Sequence, residues 1–256
     1  SAGLTELNLT YDVLKKACEL LEIEWPFVDL GVYDKGQRVI TLIEDSQSRE
    51  DIVNMLSELR EIHKGWSYLN VDQVLNRLPE SLSQEPDLLE TVVTISPEYE
   101  WLDNQNGYFW KPPKNYFGQG NRVLYICQRI FSVAEEVALK DLAKGVSRGL
   151  RHGHSDLEVL DRYPLSEKLL AEMLRQTGLF VVENDTATKA TGVEFSELNS
   201  TDVRVLRAAE GLGNVINFSD FVHNAVQEGL STGAAQLTTA HSPFLYRVSR
   251  GYYRFL

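Results

Sequence analysis

The chain has 256 residues, 43% hydrophobic, 24% charged and 10% aromatic, with 17 Gly and 8 Pro, which excludes a collagenous or low-complexity protein and provides for about two folded units, with room for three small ones. Its net charge of −12 argues at first sight against a polyanionic partner. Cys18 and Cys127 stand far apart without CxxC spacing, so a disulfide framework and a thiolate zinc site are excluded, and both thiols are expected to be buried and reduced. No apolar run approaches the ~18 residues of a membrane span, and Ser1-Ala2-Gly3-Leu4 lacks the cationic and apolar regions of a secretion signal. A cytoplasmic protein is expected, and the missing initiator Met suggests a piece of a longer chain.

The acidity is unevenly spread. Residues 1–110 carry 8 basic and 21 acidic side chains, residues 111–190 carry 12 and 10, and residues 191–256 carry 5 and 6. The average charge therefore describes only the first part of the chain.

Residues 1–47 form an N-terminal segment that could be a remnant of a preceding domain. Leu4 to Leu21 has the spacing of an amphipathic helix, and Phe27–Leu30 and Arg38–Leu42 read as strands around a turn at Tyr33-Asp34-Lys35-Gly36. From residue 48 a helix is predicted behind the cap Ser48-Arg49-Glu50-Asp51, with Ile52, Met55, Leu56 and Leu59 inward. A short helix follows at Val71–Leu78, and a third begins at Pro86 with Leu88, Leu89, Val92 and Val93 inward. Ser96-Pro97 then opens an aromatic hairpin, Tyr99-Glu100-Trp101-Leu102-Asp103 and Tyr108-Phe109-Trp110, turning at Asn106-Gly107.

The same order recurs twice. Helices at Asn121–Glu135, Leu139–His152 and Leu165–Gln176 precede strands at Leu179–Val182 and Ala187–Gly192. In the last part, Ser200-Thr201-Asp202, Ser219 and Ser231 are expected to cap helices at Val203–Glu210, Asp220–Gln227 and Thr232–Thr239. Ser242-Pro243 then opens a hairpin, Phe244-Leu245-Tyr246-Arg247-Val248 to Gly251-Tyr252-Tyr253-Arg254-Phe255, that repeats the first one's pattern. Three helices and a hairpin are the order of a winged helix. The expected fold is mainly α with small β-hairpin wings (α+β), as three tandem winged-helix units: an acidic one at 48–112, a basic one at 113–195 and a C-terminal one at 196–256.

Over roughly residues 48–256, on the Trp101-Leu102-Asp103…Gly107-Tyr108-Phe109-Trp110 and Ser242-Pro243…Tyr246…Arg250-Gly251-Tyr252-Tyr253-Arg254-Phe255 segments, the chain resembles bacterial tandem winged-helix proteins of the sigma-factor-region-4-like or HARE-type helix-turn-helix kind. The resemblance implies DNA binding in transcription or defence systems. It implies no catalytic residues.

A winged helix generally reads DNA with its third helix and contacts phosphate with its second helix and wing. The first unit's third helix turns Asp87 and Glu90 outward within a span, 44–110, of 14 acidic and 4 basic residues, which suits a protein-docking surface, a nucleic-acid mimic or a merely solvated acidic face. In the middle unit Lys140, Lys144, Arg148 and Arg151 form one cationic stripe, and residues 111–154 hold 8 basic and 3 acidic side chains. Its third helix adds Lys168 and Arg175. The last unit's third helix carries no charged residue in Ser231–Ala240; Thr232, Gln236 and Thr239 share a face suited to base edges, and Arg247 and Arg250 lie on the wing.

His152-Gly153-His154-Ser155-Asp156 invites a metal reading, but a turn after a cationic helix is the simpler one, since the other histidines fall in separate predicted units. GxGxxG, Walker and HExxH patterns are absent. No catalytic residue, metal or cofactor is expected. The leading expectation is a non-enzymatic protein that binds double-stranded DNA. The alternatives are an interaction or architectural module with an acidic docking surface and, third, a regulatory fragment of a larger enzyme.

Overall fold

The computed structural model describes residues 11–22, 27–32, 38–43, 46–151 and 157–255. It is a mixed α and β protein of helices and small antiparallel sheets, divided into two compact units, Ser1–Lys111 and Pro112–Leu256. Among the described residues no helix is long and apolar enough to cross a membrane.

The first unit contains α1 (Tyr11–Leu20), a hairpin of β1 (Phe27–Val32) and β2 (Arg38–Leu42), α2 (Ser46–His63), β3 (Leu69–Asn70), α3 (Val71–Leu75), α4 (Glu80–Ser83), α5 (Pro86–Ile95), β4 (Glu100–Asp103) and β5 (Tyr108–Trp110). Helix α2 begins at Ser46, so Ser48 lies inside it rather than capping it. Met55, Leu56 and Leu59 of α2 meet Val74, Leu89, Val92 and Phe109 in one core, and Val28 and Leu30 of β1 are buried in the same core. Ser96 Oγ also donates to Leu30 O at 3.1 Å. The β1–β2 hairpin thus packs into the first unit's core. Residues 4–10 of the predicted first helix and the turn at Tyr33–Gly36 lie outside the described residues.

The second unit holds α6 (Arg122–Phe131), β6 (Glu136–Ala138), α7 (Leu139–Arg151), α8 (Leu157–Arg162), α9 (Glu167–Thr177), β7 (Phe180–Glu183) and β8 (Thr186–Lys189). It continues with α10 (Ser200–Ala209), β9 (Val215–Asn217), α11 (Phe218–Gln227), α12 (Thr232–His241), β10 (Leu245–Ser249) and β11 (Tyr252–Phe255). Helix, short strand, helices, hairpin therefore occurs three times along the chain. In each copy the short strand pairs with the hairpin's second strand, which becomes the central one: β3-β5-β4, β6-β8-β7 and β9-β11-β10.

Two local hydrogen bonds explain why the order repeats. A hydroxyl at the end of the last helix before each hairpin accepts from the backbone N–H two residues on: Ser96 from Glu98, Thr177 from Leu179 and Ser242 from Phe244, at 3.3, 3.1 and 3.2 Å. All three side chains belong to buried residues, so each local bond satisfies a polar atom while it turns the chain into the hairpin. A carbonyl in each hairpin turn then accepts from the first residue of the helix after the short strand. The pairs are Gly107 O with Val71 N (2.9 Å), Asp185 O with Leu139 N (2.8 Å) and Gly251 O with Phe218 N (2.9 Å). All three acceptors have positive φ, at +69°, +61° and +79°.

At Gly107 a Cβ would lie 3.2 Å from Val71 Cβ, in a conformation that L-residues disfavour by about 1–2 kcal/mol. Gly107→Ala should therefore lower the first unit's stability by about 1–2 kcal/mol or more, measured as a shift in urea midpoint by tryptophan fluorescence, since all four tryptophans lie in residues 1–111.

Caps differ in detail from expectation. Asn199, not Ser200–Asp202, caps α10, with Asp202 completing the reciprocal pair from the third helical position, and Asn217, not Ser219, caps α11; Ser231 caps α12 as its sequence implies. Asp202 has a second role. Its carboxylate receives both Nε (2.8 Å) and Nη2 of Arg129 on α6, with side chains only 5% and 15% exposed. This bidentate pair joins the first helices of the second and third copies, and the Arg129 guanidinium lies 5.9 Å from the Phe244 ring centre.

Candidate nucleic-acid interface

In the middle copy, α7 buries Leu142, Ala143, Val146 and Leu150 and leaves Lys140 and Lys144 exposed one turn apart. Ser166 caps α9 by accepting from Leu169 N at 3.2 Å, and Lys168 stands exposed in the first turn of that helix. Between α7 and the start of α9 is an open groove of about 690 Å³, where Lys140, Lys144, Arg148 and Lys168 line the walls against a single carboxylate, Glu167. Four cations beside a helix N-terminus set a positive local potential inside an otherwise acidic chain, and an anion of phosphate chemistry fits it.

The predicted stripe on α7 is not uniform. Arg148 is half-buried; its Nε donates to Ser242 O at 3.2 Å, its guanidinium lies 5.9 Å from the Tyr246 ring centre, and burial pulls its pKa down to about 10. Arg151 is exposed but paired with Asp161 on α8, a short helix that periodicity did not reveal. Lys144 reaches Asp141 at 3.1 Å, and on α9 Arg175 lies 3.6 Å from Glu172.

On α12 the exposed residues include Thr232, Gly233, Gln236, Leu237 and Ala240, with Leu237 60% exposed. Thr239 does not share that surface. It is buried, and its hydroxyl donates to Gln236 O, because α12 turns Ala235 and Thr239 into the core. Arg247 and Arg250 are exposed on the hairpin, where Arg247 Nε bonds Ser249 O at 3.2 Å.

The first unit presents the opposite charge. Asp87 and Glu90 are exposed on α5, beside Thr91 and Thr94, whose hydroxyls donate to the carbonyls of Asp87 and Glu90. Where this unit ends, Lys111 N–H donates to His63 Nε2 at 3.3 Å while the Lys111 ammonium pairs with Glu98, which also receives Arg60. Burial works against the Glu98 charge, but Arg60 and Lys111 outweigh it and hold that carboxyl below its ordinary range. Burial, reinforced by the Lys111 charge, pulls His63 from 6.5 down to about 4.

The sign of the resulting pH dependence is fixed. The unfolded chain takes up the His63 proton near pH 6.5 and the folded one near 4, so this group's stabilisation is complete above 6.5 and is lost as pH falls toward 4. His63→Gln, which keeps an acceptor but does not titrate, should flatten the decline of the urea midpoint between pH 6.5 and 4. An unchanged pH profile in the variant would refute the assignment.

His152-Gly153-His154-Ser155-Asp156 lies outside the described residues; among those described, no group of His, Cys, Asp or Glu could hold a metal ion. Cys127 is fully buried, which pushes its thiol pKa up, whereas Cys18 is only partly buried, contrary to expectation. Sequence reasoning missed Tyr246. The signal available was its register in the hairpin, opposite Arg254. The chain matches no protein-family model, no curated protein and no solved structure.

Proposed function

We propose that the chain is a non-enzymatic DNA-binding protein of three tandem winged-helix units, acting as a regulator in transcription or defence, and that its second unit contacts duplex DNA. The observation that carries the reading is the cationic groove of Lys140, Lys144, Arg148 and Lys168 between α7 and α9. These are the second helix and the helix before the wing in the middle copy, the two elements from which a winged helix approaches a duplex. The first strand, third strand, second strand order of each sheet and the turn-to-helix hydrogen bond in all three copies support the fold reading.

In this reading Lys140, Lys144 and Lys168 contact backbone phosphate, while Thr232 and Gln236 on the uncharged α12 meet base edges and Arg247 and Arg250 hold the adjoining backbone. Thr239, being buried, has no part in it. A second reading rests on the exposed Asp87 and Glu90: the first unit repels phosphate and suits a protein partner with a basic surface.

Heparin chromatography tests the proposal simply. The protein, with a sequence pI near 4.9, is expected to be retained at low salt and eluted by added salt. Flow-through at low salt would favour the interaction module.

A further inference from the structure

Beside the groove, three cations from two different copies gather around one tyrosine. Lys144 Nζ and the Arg148 guanidinium, both on α7, lie 5.7 and 5.9 Å from the Tyr246 ring centre on β10. Arg254, the cross-strand neighbour of Tyr246 on β11, brings Nη1 to 3.4 Å from the Tyr246 hydroxyl. Asp141 pairs with Lys144, which leaves the cluster with an excess of positive charge. Arg148 Nη2 is moreover buried without a hydrogen-bond partner among the described residues. Like charges assembled on one tyrosine are costly unless an anion offsets them. The cluster is also continuous with the groove, which Lys144 and Arg148 line together with Lys140 and Lys168.

We propose that Lys144, Arg148, Tyr246 and Arg254 form a composite site for one phosphate group of a nucleic-acid backbone, built jointly by the second and third copies. The assignment rests on the duplex-binding reading and sharpens it. Tyr246 is the platform: its ring stacks against the α7 cations and its hydroxyl orients Arg254. Ser242 O holds Arg148 through Nε, and the fixed guanidinium adds positive charge beside the phosphate. A backbone entering this site would touch α7 and the C-terminal hairpin at once. The two copies would then engage a single duplex.

The test uses the full chain and two probes, a fluorescent random-sequence duplex and inorganic phosphate. Arg254→Gln and Lys144→Gln alter exposed side chains, and each should weaken duplex binding about tenfold near 0.1 M salt and reduce the slope of log K against log salt by about one. Arg254→Lys should recover part of the loss. Inorganic phosphate should shift the Nε resonances of Arg148 and Arg254 in the wild type but not those of Arg148 in Lys144→Gln/Arg254→Gln. Tyr246→Phe keeps the ring and should reduce affinity less than Arg254→Gln.

Duplex binding with unchanged affinity and slope in both Gln variants would overturn the composite site and leave the duplex reading standing. Saturable phosphate shifts with no duplex binding at low salt would overturn the assignment to a backbone, and the duplex reading with it. Absence of both responses would likewise overturn the proposal.

Discussion

The variant Lys140→Glu/Lys168→Glu is expected to lose at least ~100-fold in affinity for a random duplex near 0.1 M salt, and its slope of log K against log salt should fall by about two. Both side chains are exposed, one on α7 and one in the first turn of α9, on the two walls of one groove. Each phosphate they neutralise releases condensed counterions, which near 0.1 M is worth about a factor of ten per contact. Reversing their signs removes that gain and adds repulsion beside Glu167. Melting temperature should stay close to wild type, because neither residue contributes to the core. The effect should be equal on all sequences, since phosphate carries no base identity. Gln236→Ala should behave differently: on a preferred site it should relax discrimination at one base pair by about 1–3 kcal/mol while leaving random-duplex affinity nearly unchanged.

The largest stability effect is expected at Asp202. Asp202→Ala leaves the Arg129 guanidinium buried and unpaired and removes the reciprocal half of the α10 cap. A broken buried ion pair costs about 3–5 kcal/mol, so the second unit should unfold at markedly lower urea, followed by circular dichroism because this unit has no tryptophan. The penalty comes mainly from the stranded charge. Arg129→Met/Asp202→Asn should therefore be more stable than Asp202→Ala alone, as the amide can keep the cap while the methionine fills the space beside Phe244. A double variant no better than the single one would mean that lost packing, rather than an unpaired charge, dominates.

Where a pattern was long enough or a turn chemically distinctive, the sequence was informative. Ser96-Pro97 and Ser242-Pro243 with their Gly-Tyr turns marked two hairpins, because a hydroxyl cap and a positive-φ glycine each require particular residue types. The middle copy does the same work with Thr177 and Asn184-Asp185, and so resembled the others less closely. The strands β3, β6 and β9 have two or three residues each, too few for alternation to register, yet they close every sheet.

Much the same limit applies to the interface. The spacing of Lys140, Lys144, Arg148 and Arg151 established a common side of α7, but one helix cannot reveal which of its residues meets a neighbour. Arg148 is turned toward Ser242 and Tyr246, residues nearly a hundred positions away. On α12 the small residues left the buried face ambiguous, and packing buries Thr239 and exposes Leu237.

Fluorescence anisotropy of a labelled random duplex, titrated with the 256-residue chain at several salt concentrations, tests the central claim most directly. Saturable binding that weakens steeply with salt, with a log–log slope of several units, is the predicted result. No binding even at low ionic strength would contradict it and direct attention to a protein partner for the acidic surface around Asp87 and Glu90.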